Sequence, residues 1–194
     1  DGNPYVTAKV TRQVADELRT AIAKCYYNNA KDLQSLLTFK GVAEELTKIR
    51  SMLYEAMFDQ EAIIPLASIQ QAMQIIRKLI VEKYQSLFLD EVDNFIDKLT
   101  IYKSHFASMD IRQDHSKHHQ LIQEILILNG RVNNEISELS KAELIQILSE
   151  ETMDLDGLQY SNDTLQDTID NIKQLKTIQE RNGEEGCHRY IISN

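Results

Sequence analysis

Residues 106 to 119 read Phe-Ala-Ser-Met-Asp-Ile-Arg-Gln-Asp-His-Ser-Lys-His-His, the one stretch where helical spacing gives way to alternation. In extended form Phe106, Ser108, Asp110 and Arg112 fall on one face, and Ala107, Met109 and Ile111 on the other. The pattern predicts a strand over Phe106 to Arg112. A strand buried on both sides reads as a continuous apolar run, and a face of Ser, Asp and Arg does not fit that. The chain then turns helical, with Asp114, His115 and Ser116 as first-turn residues. A cation at the C-terminal end of a strand, where the chain enters a helix, is where α/β barrels hold anions. Arg112 is therefore the leading candidate for touching a substrate.

Outward from this stretch the periodicity is helical. Upstream, Thr7 is a plausible N-cap, and Val10, Val14, Leu18, Ile22, Cys25, Leu33 and Leu36 mark a long helix running to about Lys40, broken at Gly41. Its apolar stripe reads as core packing. Leu46, Ile49, Leu53 and Met57 mark a second helix, with Pro65 closing the linker after it. Ser68 and Gln71 have capping-box spacing ahead of Met73, Ile76, Leu79, Ile80 and Tyr84. Val92, Phe95, Ile96 and Leu99 make a fourth helix ending near Lys103. Downstream, a helix is expected from about His115 to Leu128 with Gly130 past its end, and a short one after the Ser140–Glu143 capping box. Residues 152–162 read as a loop. Leu165, Ile169, Ile172, Leu175 and Ile178 define a last helix stopped by Asn182-Gly183, and Cys187 to Asn194 carries a second strand pattern. The fold class is mainly α: a helical array over residues 1–104, then a strand–helices–strand segment over 105–194.

A parallel crossover of this kind is stable only when other strands flank it, and two strands alone are marginal. The first residue is not Met. Both points make the chain read as an internal fragment whose two strands belong to a larger sheet or an α/β barrel.

Composition narrows the function classes. Of 194 residues 42% are hydrophobic and 26% charged, the balance of a water-soluble domain with a real core. A net charge of −9 argues against a nucleic-acid partner. No apolar run reaches the length of a membrane span, so no membrane association is expected. Cys25 and Cys187 lie far apart and form no metal motif, which fits reduced thiols in the cytoplasm. Only 6 Gly and 2 Pro are present, which favours helix over sheet.

Residue types alone leave Arg112 two roles. A guanidinium binds phosphate or carboxylate with a two-pronged fork, but it also forms ion pairs, here with Asp110 or Asp114. His115, His118 and His119 share one helix face. Their spacing permits a metal site but lacks the frame of a zinc motif, and a solvated helix start is the plainer reading. The pairs Glu44-Glu45, Glu150-Glu151 and Glu184-Glu185 read as solvated helix ends or loops.

Three ordered segments carry a resemblance. Ser108-Met-Asp-Ile-Arg-Gln-Asp114, with His118 following, is similar to the (L/I)-D-I-R-Q-(D/E)-S-x-x-H segment of phosphoenolpyruvate carboxylases. Asp1-Gly-Asn-Pro-Tyr-Val-Thr7 looks like the end of that family's G-G-D-R-D-G-N-P-x-V-T motif, and Tyr190-Ile-Ile-Ser193 like its Y-(V/I)-I-S strand. The resemblance spans the whole chain, as a middle piece of the enzyme. It implies a carbon–carbon lyase that makes oxaloacetate and phosphate from phosphoenolpyruvate and bicarbonate, feeding the tricarboxylic acid cycle. It further implies magnesium or manganese as cofactor in the parent, none bound to this piece, a cytoplasmic location and a homotetramer. It assigns Arg112 the catalytic role of contacting the substrate's phosphate, and makes Asp110, Gln113 and His118 its supporting neighbours. Transfer of a role onto Asp1 and Asn3 is weak, because the Arg and first Asp of that motif would precede residue 1. His115 stands where the family commonly has Ser, which argues against a chemical role for it. The family's essential His motif lies upstream, and its metal-binding carboxylates and Gly-Arg-Gly-Gly loop downstream, so the isolated chain is expected to be inactive. The competing class is a non-enzymatic helical module that binds a partner protein. It accounts for the acidic, helix-rich composition but not for Arg112 at a strand end.

Overall fold

The computed structural model describes residues 5–59, 61–150, 155 and 157–193. Helices dominate: α1 (Ala8–Leu36), α2 (Val42–Phe58), α3 (Leu66–Lys83), α4 (Leu89–Tyr102), α5 (His115–Leu128), α6 (Lys141–Glu150) and α7 (Asp163–Asn182). Strand β1 (Asp110–Asp114) follows α4, and β2 (Arg189–Ser193) follows α7. Short 3-10 turns sit at Ile136–Glu138 and Glu184–Gly186. The mainly α class expected from periodicity is what the chain adopts. The opening Asp1–Pro4 turn lies outside the described residues, as do parts of the 152–162 loop.

Contacts divide the chain into two compact units. The larger takes residues 9–110 and 175–189. Its core is the buried face of each of α1 to α4; on α1 this is not the expected stripe, because Val10, Val14, Cys25 and Leu36 are exposed and Ile22, Ala23, Tyr26, Ala30 and Leu33 are buried. Ile22, Tyr26 and Leu33 of α1 cluster with Leu46, Ile49 and Leu53 of α2, Met73 and Ile76 of α3, and Phe95 and Leu99 of α4. These sit at the three- and four-residue spacings that put side chains on one helix face. Tyr26 is buried among them, and its hydroxyl donates to the Lys103 carbonyl at 2.8 Å, so the polar tip is not stranded. Burial pushes the Tyr26 pKa up. Gly41 opens α2 with φ +84°, a left-handed geometry that glycine adopts without strain, and its N–H donates to the Glu44 carboxylate at 2.6 Å.

The smaller unit takes the described parts of residues 1–8, 111–174 and 190–194. Leu121 and Ile125 of α5 pack with Leu165 and Ile169 of α7, flanked by Leu155 and Tyr160. The end of α5 is a Schellman turn. Gly130 takes φ +67°, its N–H donates to the Ile127 carbonyl at 2.9 Å, and the Arg131 N–H reaches the Leu126 carbonyl at 2.8 Å. Ser140 and Glu143 form the expected capping box at α6: the Ser140 N–H donates to the Glu143 carboxylate at 2.8 Å, and the Glu143 N–H to Ser140 Oγ at 3.3 Å.

β1 and β2 pair with each other. The pairing runs in parallel, because contacts advance together along both segments: Met109 N–H to the Gly186 carbonyl, Asp110 with Arg189, and Ser193 Oγ with the Gln113 carbonyl.

Three further sequence expectations need correction. The first strand is not Phe106 to Arg112 but Asp110–Asp114. α4 ends in a tight turn, with Lys103 at φ +46° and Phe106 at φ +63°, and the His105 and Phe106 N–H groups both bond the Tyr102 carbonyl. Left-handed residues break the extended geometry that the alternation implied. Ser68 caps nothing: α3 begins at Leu66 directly after Pro65, whose φ of −77° is already close to helical, so Ser68 falls inside the first turn. α1 stops at Leu36, short of Lys40.

Candidate active site

The candidate site is the corner where β1 passes into α5. Ile111 is buried and anchors the strand, while Arg112 is exposed. Asp114 ends β1 and caps α5: its backbone is extended at φ −69° and ψ 138°, and its Oδ1 accepts from the Ser116 N–H at 2.7 Å. That hydrogen bond, with the Coulombic pull of His115 and Lys117 behind it, holds the Asp114 carboxyl below the usual range.

The geometry bears on the two ion pairs left open for Arg112. Asp110 is ion-paired with Arg189, Nε to Oδ1 at 2.7 Å. Asp114 is committed to the helix cap. Both carboxylates that could claim Arg112 are spoken for, and among the described residues its guanidinium has no ion-pair or hydrogen-bond partner. A guanidinium is a permanently charged fork, and this one is exposed midway along β1, just ahead of α5.

Gln113 closes the corner on itself. Its Oε1 accepts from the Asp114 N–H at 3.2 Å, and its carbonyl accepts from Ser193 Oγ of β2 at 3.5 Å. His118, in the first turn of α5, is half-buried. Its Nε2 lies 3.1 Å from Tyr190 Oη, in hydrogen-bond contact, and the rings meet edge-on with centroids 5.5 Å apart. Burial lowers the His118 pKa and raises that of Tyr190, so both groups stay neutral near pH 7. His115 approaches Asp114 at 3.7 Å and is exposed, as is His119. Among the described residues no group of three or more His, Cys, Asp and Glu side chains is arranged to hold a metal ion. The corner offers a cation and a cap rather than a carboxylate set, so magnesium or manganese has no ligand shell in it.

Two contacts were missed from the sequence. Asp110 and Arg189 are the first residues of their strands and carry opposite charges, a matched start that was a usable signal for pairing. Tyr190 and His118 carried no such signal.

The acid limb of the Asp114 cap is testable. The carboxyl has its pKa depressed by folding, so its contribution is present above the unfolded value of about 3.9 and is lost as pH falls through the folded value. The Ser116 amide NMR shift is expected to titrate with that acid transition. Asp114→Asn, which keeps an acceptor and removes the charge, is expected to abolish the titration while α5 persists. A native Ser116 amide indifferent to pH from about 5 down to about 2 would show that the cap is not charged.

Comparison with known proteins gives the family. A family model for phosphoenolpyruvate carboxylase matches residues 41–194. A phosphoenolpyruvate carboxylase of Synechococcus sp. is 24% identical over 251 residues, covering 100% of this chain and 24% of the relative. One from Trichormus variabilis is 23% identical over 244 residues, with the same coverage of each chain. One from Prochlorococcus marinus subsp. pastoris is 31% identical over 111 residues, covering 55% of this chain and 11% of its own. The chain thus spans about a quarter of the length of the relatives that match it end to end, and their matched stretches run longer than its 194 residues. With the family model matched from residue 41 through residue 194, and relatives of one name along its whole length, the chain belongs to the phosphoenolpyruvate carboxylase family.

Proposed function

We propose that this chain is an internal piece of a phosphoenolpyruvate carboxylase, with residues 1–104 as its helical region and 105–194 as the strand–helices–strand segment of its barrel. The observation that carries the reading is Arg112, an exposed guanidinium midway along β1, two residues before α5 begins at the Asp114 cap, with no partner among the described residues. In the reaction a bicarbonate oxygen attacks the phosphorus of phosphoenolpyruvate. The carbon-side P–O bond breaks, leaving carboxyphosphate and the enolate of pyruvate. The carboxyl carbon then bonds to the enolate and phosphate departs, giving oxaloacetate. Negative charge accumulates on the phosphoryl oxygens throughout, and a fixed cation there is worth more in the transition state than in the ground state. Arg112 is the group in this chain suited to that task, holding phosphate through paired N–H donors. Gln113 and His118 support the corner that carries it, whereas Asp110 answers to Arg189. The divalent ion of the reaction would be held by residues outside this chain. No described helix is long and apolar enough to cross a membrane. A cytoplasmic homotetramer is the parent assembly we propose.

The test is oxaloacetate formation from phosphoenolpyruvate and bicarbonate with magnesium, followed through malate dehydrogenase. The full-length protein is expected to turn over and this chain alone to be inactive, because it carries one cation of a larger site. An inactive full-length protein would move the assignment to the partner-binding helical module, and an active isolated chain would overturn the view that the site is completed elsewhere.

A further inference from the structure

Resting on the reading of Arg112 as the phosphate-binding cation, we infer that Tyr190 is a positioning residue for it, acting through His118. Arg112 has no side-chain partner among the described residues, so its direction is set by the backbone that carries it. That backbone is short. Arg112 lies two residues before the Asp114 cap, and His118 is in the first turn that the cap starts. β1 and α5 therefore move as one corner, and the corner needs an anchor outside itself. Beyond the strand pairing and the Asp110–Arg189 ion pair at the start of β1, β2 supplies it at two side-chain contacts nearer α5, Ser193 Oγ against the Gln113 carbonyl at 3.5 Å and Tyr190 Oη against His118 Nε2 at 3.1 Å. The second is the shorter, and its two rings also meet edge-on, half-buried, so the contact is held by packing as well as by the hydrogen bond. It fixes the start of α5 to the strand beside β1. Neither ring carries charge near pH 7, so the tie costs the site no competing ion.

Tyr190→Phe keeps the ring and removes only the hydroxyl. The experiment measures phosphoenolpyruvate binding to the full-length protein by calorimetry, without bicarbonate, for native, Tyr190→Phe, Arg112→Ala and the double variant. A lost hydrogen bond of ordinary strength predicts that Tyr190→Phe binds about two- to tenfold more weakly. In the Arg112→Ala background the same change is expected to have no further effect, because the group being positioned is gone. An equal loss in both backgrounds would assign Tyr190 a general structural role and overturn the inference, as would a Tyr190→Phe protein that binds like the native one. An Arg112→Ala protein of unchanged affinity would instead overturn the phosphate-binding reading, and the inference would fall with it. The single Arg112 variant thus separates the two failures.

Discussion

Arg112→Ala in the full-length protein is expected to lower kcat/KM for phosphoenolpyruvate by two or more orders of magnitude. Removing one preorganised donor from a transition-state charge costs about 10²- to 10³-fold in other acyl- and phosphoryl-transfer sites. Arg112 is exposed on β1 and has no partner among the described residues, so its loss leaves no buried carboxylate among them orphaned and no core void. Folding should therefore be spared, and the effect should be one of chemistry and binding. The split between constants carries the mechanism. A fall in kcat means the guanidinium works mainly in the transition state, and a rise in KM alone means that it binds substrate and transition state equally. Arg112→Lys, which keeps the charge but loses the fork, is expected to fall between native and Ala. Steady-state kinetics at saturating bicarbonate read all of these. An unimpaired Ala variant of an active enzyme would keep the enzyme and discard this site.

Phe95→Ala is the largest stability change expected. Phe95 is 1% exposed in the core of the larger unit, its ring 5.9 Å from that of Tyr26 and tilted by 55°. Truncation removes the ring from both helices at once and leaves a cavity, at a cost of about 3–5 kcal/mol. Against a total stability of about 5–15 kcal/mol this is enough to populate the unfolded chain. Ile101 on the same helix is 66% exposed and serves as the control: Ile101→Ala should change stability by no more than about 0.5 kcal/mol. Urea denaturation of both variants, followed by circular dichroism, checks the pair. Equal midpoints would mean that α4 does not face its core as described.

The helices were legible because each buries one stripe, and a stripe leaves a period. Leu46, Ile49 and Leu53 announce α2, and Leu165, Ile169 and Ile178 announce α7 with its stop at Asn182-Gly183. The start of β1 was not legible in the same way. Phe106 to Met109 alternate as a strand would, yet Lys103 and Phe106 adopt left-handed backbone that no residue-type pattern betrays. At the site, Arg112 and its neighbours stood out by type and place. What settled the fate of Asp110 was not local, whereas that of Asp114 was. Asp110 found Arg189 from across the chain, and Asp114 found the amide of Ser116. Tyr190 and His118 were likewise brought together by the pairing of the strands, and a single sequence holds no record of that distance.

The parallel pairing of β1 and β2 encloses everything from residue 115 to residue 188. Closing a loop that long costs chain entropy that rises only with the logarithm of its length, about 0.6 kcal/mol for each doubling. The pairing is therefore nearly indifferent to how much chain is spliced into the crossover. Insertions between α5 and α7 leave the corner at Arg112 as it is, so the segment between the strands is free to diverge in length among relatives whose strand ends stay in register.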